Sequence, residues 1–336
     1  MQVELRDSLE FLFSDSEVSR RPRRKIELDV ARGGTIAVNV LTAGMPEQGV
    51  VTLSVRQNGA PVRSAHWFRL HHVSVEKNTG PDGFDLKEGK SNPHVIRRAP
   101  FRVYDAMEPI GKSVESGGGV ALRLHIPVGR DERPGRRELA IELVCGSQRI
   151  ELLVLARMHK AVMAPSGRGS LPYTNWFSFE NMASRHGLKM WSESHWRMIR
   201  QYARLMAHAR QNMFLVPLGN VFRRAARGHV LDRERLERLV KLFTDEGLWF
   251  IEGGHLGQRH KGEWNAEYFD LVLDGPRATS PEGNAEIARL SHQLMQVIRE
   301  NKWHRRWIQH VTDEPTAENA VDYRIFVGMA HESLSQ

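Results

Sequence analysis

With 336 residues the chain is too long for one ordinary hydrophobic core, and 40% hydrophobic with 26% charged residues is the composition of a globular protein of about two domains. No apolar run approaches the ~18–20 residues of a membrane helix, and the opening MQVELRDSLEFLF has no cationic segment ahead of an apolar one, so no span or secretory signal is read and localisation stays open. Lys and Arg (48) exceed Asp and Glu (40) by 8, but the basic doublets are scattered, without zinc-finger spacing or an aromatic RNA-binding signature, so no nucleic-acid partner is expected.

The first half reads as β. TIAVNVLTA (35–43), GVVTLSVRQNGAPV (49–62), AHWFRLHHVSVE (65–76), GVALRLHIPV (119–128), RRELAIELVCG (136–146) and QRIELLVLAR (148–157) alternate apolar and polar residues between turn signals. The Asn58–Gly59 pair predicts a tight hairpin, because both central positions accept positive φ. The single cysteine, Cys145, excludes an internal disulfide framework and reads as a core residue. An antiparallel β-sandwich is expected from about residue 25, as a domain spanning 1–158, followed by a Pro-, Gly- and Ser-rich linker at 159–170.

From 171 the pattern changes to strand then helix, four times over. Strands are predicted in LPYTNWF (171–177), NMFLVPL (212–218), LWFIEGG (248–254) and RWIQHVT (306–312). The first long helix has Ser192 or Ser194 as N-cap, with Trp196, Ile199, Ala203 and Met206 on its buried face. Two more follow, in LDRERLERLVKLFTDEG and SPEGNAEIARLSHQLMQVIREN, and a last helix is expected to begin near Pro315. About 165 residues thus carry four βα units, whereas a (β/α)8 barrel needs eight. Residues 171–336 are therefore read as an incomplete (β/α)8 barrel or an open sheet.

Barrel chemistry sits at the carboxyl ends of strands. Those ends carry Asn175 and Trp176; Pro217 and Asn220; Glu252 and His255; and His310, Asp313 and Glu314. Strand alternation would set His310, Thr312 and Glu314 on one face and Asp313 on the other, while a break before Pro315 would let both acids enter one pocket. Two adjacent carboxylates do not both ionise easily, which supplies one proton donor and one anion. Trp176, Trp249 and Trp264 could offer flat faces to a sugar ring. On spacing alone, however, an Asp-Glu pair is most simply a surface dipeptide serving a helix dipole.

A resemblance reverses that order. PYTNWFSFENMASRHGLKMWSESHWRMIRQYARLMAHARQN, FIEGGHLGQR and HVTDEP together resemble glycoside hydrolase family 123 and its DUF4091-type relatives. HIPVGRDERPGRRELAIEL is similar to the strand–turn–strand of that family's sandwich. The resemblance implies a β-sandwich ahead of a catalytic barrel and a retaining, exo-acting β-N-acetylgalactosaminidase-like activity without a cofactor. It also implies substrate assistance, in which the sugar's own acetamido oxygen attacks the anomeric carbon. Carried onto HVTDEP, it makes Asp313 the group that orients the acetamido group and Glu314 the acid and base. It suggests pocket or binding roles for Asn175, Trp176, Glu252, His255 and His310, and a glycan as the partner. Because it stops with the fourth βα unit, the chain is expected to be part of a longer protein, of low activity alone. Two other readings stand beside it. One is a noncatalytic carbohydrate-binding or structural protein. The other is a metal-dependent hydrolase drawing on Glu252, His255, His260, His304, His310 and Asp313, for which neither HxH nor HExxH spacing is present.

Overall fold

The computed structural model describes residues 1–78, 95–226 and 228–335. They form two compact units, Met1–Ala164 and Pro165–Gln336, each with its own core.

Unit 1 contains β1 (Gln2–Asp7), β2 (Lys25–Arg32), β3 (Thr35–Ala43), β4 (Val50–Gln57), β5 (Ala60–Pro61), β6 (His66–Val75), β7 (Phe101–Ile110), β8 (Ser113–Glu115), β9 (Ala121–Pro127), β10 (Gly135–Cys145) and β11 (Gln148–Val162). One sheet has the order β1-β3-β9-β6-β7, and the other β2-β11-β10-β4-β5 with β8 beside β4. Alternation creates the sandwich. Val38 and Val40 of β3 and Leu122, Leu124 and Ile126 of β9 meet Leu53, Ile141, Leu143 and Val154 of the other sheet in one dry core. Asn58 (φ 50°) and Gly59 (φ 79°) make the expected tight turn between β4 and β5.

Three expectations need correcting. The sandwich begins at Gln2 rather than near residue 25, because β1 pairs with β3 along its whole length. It is not wholly antiparallel: β2 lies parallel to β11, since the chain passes from one sheet to the other between β1 and β2. The segment read as linker from 159 is still strand through Val162, held by pairing of His159 with Ala31 and Val162 with Arg32.

Unit 2 contains α1 (Phe179–Arg185), α2 (Glu193–His208), β12 (Met213–Val216), α3 (Leu218–Val221), β13 (Phe222–Arg224), β14 (His229–Leu231), α4 (Arg233–Asp245), β15 (Phe250–Gly253), β16 (Gly257–Arg259), β17 (Phe269–Leu271), α5 (Pro281–Glu300), β18 (Trp307–Gln309) and α6 (Ala320–Ser335). Ser192, Asp232 and Ser280 cap α2, α4 and α5, each side-chain oxygen accepting a backbone N–H of the first turn. The four apolar α2 positions read from the sequence are all buried.

The central sheet is parallel, in the order β12-β15-β18. Its register sets Phe214, Ile251 and Trp307 abreast on one face and Leu215, Glu252 and Ile308 on the other. Phe214 and Ile251 are fully buried in the helix-packed core, whereas Leu215 is half-buried and Ile308 is 46% exposed. Glu252 therefore sits on the less covered face.

LPYTNWF, predicted as a strand, is extended but unpaired as one; Tyr173 instead accepts N–H donors from both Asn212 and Met213 through its single carbonyl. The last helix starts at Ala320, not near Pro315. Asn319 ties the intervening loop by accepting from the Thr316 N–H and donating to the Ala266 carbonyl.

Candidate active site

The site grows from the loops that continue β15 and β18. Beyond the strands the two segments stay joined: the His310 N–H donates to the Gly253 carbonyl at 3.0 Å, and Leu256 and Gly257 both donate to the Val311 carbonyl at 2.9 Å. This pairing carries His255 to His310. Close approach demands glycine at 254, where a Cβ would lie 2.8 Å from Pro217 Cα and 2.9 Å from the Val216 carbonyl oxygen. Gln309 braces the turn, its amide donating to the carbonyls of Gly254 (2.6 Å) and His310 (2.9 Å) while accepting from Trp307 Nε1.

Glu252 is the hub. It is buried, and Trp176 Nε1 donates to its Oε2 at 2.9 Å while Nδ1 of His310 lies 3.1 Å from its Oε1. Nε2 of His255 lies 3.1 Å from the same His310 Nδ1, and the two rings meet edge to face with centroids 4.1 Å apart. Glu252 as carboxylate, with the proton on Nδ1 of His310, satisfies both acceptor oxygens. Trp176 packs on both rings, at 5.4 Å from His255 and 5.8 Å from His310, and is 48% exposed. Burial, reinforced by the neighbouring His310, lowers the His255 pKa and outweighs the opposing pull of Asp313 and Glu252, so the ring is neutral at neutral pH. Asp313 completes the group: one carboxylate oxygen and one ring nitrogen each from His255 and His310 lie within 4.8 Å of one another.

The two acids separate. Regular alternation ends with β18 at Gln309, so His310 and Asp313 come together although strand pleating would part them. Glu314 takes a left-handed backbone (φ 42°), rare for a residue with a side chain, and turns outward. Its side chain is 64% exposed and 4.0 Å from Arg259 Nη2, and its carbonyl accepts from the same guanidinium. The break before Pro315 thus does not bring both carboxylates into one buried pocket.

Asn175 stands apart from the network, its backbone donating to Gln211 and its amide reaching the Tyr173 hydroxyl at 3.4 Å. Trp249 is engaged by two guanidinium groups, those of Arg168 and Arg306, 3.5 and 4.5 Å from its ring centroid. Trp264 is 59% exposed, with Arg259 over one face. Of the remaining candidate ligands, His260 is held by Asp270 at 2.7 Å, and His304 precedes β18, at the opposite end of the sheet.

Beside Trp176 opens a cleft of about 530 Å³ walled by Ser178, Glu180, Pro217, Gly219 and Asn220. Pro217 and Asn220 were read as strand-end residues; Glu180 and Ser178 were not. Partial burial pushes the Glu180 carboxyl up, but hydrogen bonds from its own backbone, Asn220 and Ser178, with His195 nearby, outweigh it and hold the pKa below its ordinary value. The signal for them was SFE, in which Ser178 caps α1 and leaves Glu180 in its first turn. A larger cleft of about 700 Å³, between α5 and α6, contains none of the predicted site residues.

Residues 176–250 match the family model for the glycoside hydrolase 123 catalytic domain. That match begins at Trp176 and ends before Glu252, His255, His310, Asp313 and Glu314. Among solved structures, a family 123 glycoside hydrolase from Clostridium perfringens, described in a study of glycolipid glycan hydrolysis, aligns with 98% of this chain at 12% identity and a TM-score of 0.69. The fold is therefore shared, and the chain spans 60% of that structure's length. A β-glucuronidase from Parabacteroides merdae (11% identity, 98% of this chain and 33% of that one, TM-score 0.27) is too distant in shape to inform the fold. The same holds for the CooA pilin subunit of enterotoxigenic Escherichia coli (14% identity, 48% of this chain and 99% of that one, TM-score 0.19). No curated protein matches the chain at the sequence level.

Proposed function

We propose, from the premise that this chain carries a glycoside hydrolase 123 catalytic segment on that family's fold, that it is a retaining glycoside hydrolase acting on terminal β-N-acetylhexosaminides by substrate assistance. The observation that carries the reading is Asp313. It stands beyond the carboxyl end of a parallel strand beside His255 and His310, on whose rings packs a half-exposed tryptophan held by a buried carboxylate, with a second acid next in sequence.

In this reading the hexosamine ring lies against Trp176, its apolar face on the indole. Asp313 accepts a hydrogen bond from the acetamido N–H and turns the acetamido oxygen toward the anomeric carbon. As that oxygen attacks, the bond to the leaving oxygen breaks and Glu314 supplies the leaving group's proton. The oxazolinium ion that forms is positive where Asp313 is negative, an interaction stronger in the transition state than in the ground state. Glu314, now a carboxylate, takes a proton from water as it attacks the anomeric carbon and reopens the ring. Two inversions give net retention. Divergence of the two acids suits this division: Asp313 faces the partly buried side of the sugar, and Glu314 the open side where a leaving group or water must pass.

Unit 2 is, on the same reading, the first half of a (β/α)8 barrel. The outer edge of β18 is unpaired among the described residues and Ile308 is exposed beside it, which supports further strands there in a longer protein. A glycolipid glycan is the natural first class of substrate to try, and aryl β-N-acetylgalactosaminide and β-N-acetylglucosaminide serve as simple probes. The test is an N-acetyl thiazoline mimic of the oxazolinium. Competitive inhibition of aryl-hexosaminide hydrolysis is expected, and an active enzyme indifferent to it would contradict substrate assistance. Glycan binding without turnover would favour the carbohydrate-binding reading instead.

A further inference from the structure

The groups that surround Asp313 are ones that also ligate metal ions. Two imidazoles converge with the carboxylate, and all three side chains are half-buried, accessible but held by neighbours. His255 Nε2 and His310 Nδ1 are 3.1 Å apart, so the two ring nitrogens face each other across at most one proton. Tetrahedral binding at ~2.1 Å per ligand bond places ligand atoms about 3.4 Å apart, so the histidine pair already has that spacing and only Asp313 must close in. Glu252 Oε1 lies 3.1 Å from the same His310 Nδ1, so an ion bound there replaces the proton that this nitrogen gives to Glu252 and keeps the carboxylate beside it as a balancing charge. Two imidazoles and one carboxylate suit zinc, cobalt, nickel or copper and not magnesium or calcium, which prefer oxygen ligands.

We propose that His255, His310 and Asp313 form a binding site for a divalent transition-metal ion of the zinc class, and that its occupation shuts the hydrolase off. Binding rests on the cluster alone. Inhibition rests on the hydrolase reading, because the ion takes the Asp313 carboxylate from the acetamido group and sits where the sugar must lie beside Trp176. Three protein ligands leave one position for water, so the ion is held by a partly open site and chelators reach it.

The test uses the full chain, stripped with a chelator and titrated with cobalt(II) followed by visible absorption. A tetrahedral d–d band saturating at a single ion per chain and bleached by added zinc is expected. His255→Ala and His310→Ala should abolish the band. His304→Ala, an exposed residue at the other end of the sheet, should leave it unchanged. Circular dichroism of each apo variant separates lost ligands from lost folding. Absence of a band, or a band that survives in well-folded His255→Ala and His310→Ala, overturns the site. Hydrolysis that proceeds at full rate with the band saturated overturns the inhibition while leaving the hydrolase standing, and a band in a protein without hydrolytic activity leaves the metal site standing alone.

Discussion

Trp176 and Glu252 define the site at the scale of single residues. Trp176→Phe keeps the ring but removes the N–H that satisfies Glu252 Oε2, leaving a buried carboxylate oxygen short of a partner. A loss of roughly 1–3 kcal/mol in stability is expected by denaturant titration, with a rise in KM for the aryl hexosaminide. His255 gives a pH signature. Its folded pKa lies below the ordinary value of 6.5, so between the two values the unfolded chain binds more protons and stability rises with pH. Acidification below about pH 6.5 should therefore cost stability until the folded pKa is passed, and His255→Gln should flatten that part of the profile. His195, lowered first by burial, contributes in the same direction and remains in the variant as a background.

At the scale of elements, Gly254 shows how strand and loop are coupled. Gly254→Ala drives a Cβ into the backbone of Val216–Pro217, so β12 and the β15 loop must part. Roughly 1–3 kcal/mol of destabilisation is expected, with activity falling further because His255 moves with the loop. What the sequence showed of such elements follows their burial. β3 and α2 were legible because one face of each is continuously buried and the other is not. β7, FRVYDAMEPI, was missed because it is almost wholly half-buried or exposed and so shows no alternation. The pairs β13–β14 and β16–β17 are three residues per strand, too short for any period to register. LPYTNWF has strand composition, but its carbonyl at Tyr173 is used by a loop rather than a ladder. For the candidate site, Trp176, Glu252, His255, His310 and Asp313 were each read at a strand end and do lie together, although LPYTNWF forms no strand, Asn175 stays outside and alternation would have turned Asp313 away from His310. The orientation of Glu314 was not legible, because a positive φ at a glutamate has no sequence signature.

At the scale of the molecule, arginine is used as structure. Guanidinium groups lie over Phe13, Trp191, Trp196, Trp249, Trp264 and Tyr268, and each such contact covers aromatic surface. Arg306 is the extreme case. Burial, with the charge of Arg168 over the same indole, lowers its pKa to about 10, yet it stays charged at neutral pH and donates to Thr244. Unit 2 nevertheless depends on its apolar core, where Phe214 and Phe243 stack at 4.4 Å between sheet and helix. Phe214→Ala should cost about 3–5 kcal/mol, read as lost hydrogen-exchange protection across β12, β15 and α4. The strand ends that carry the proposed site hang from that layer, so activity should fall with it.

The most direct measurement compares kcat/KM for an aryl β-N-acetylhexosaminide in the unaltered chain with Asp313→Asn and Glu314→Gln. Asp313→Asn should lose about 10²–10³-fold and Glu314→Gln about 10²–10⁴-fold, with circular dichroism unchanged. Hydrolysis near the original rate in both variants would contradict the assignment of these two acids and with it the proposed mechanism.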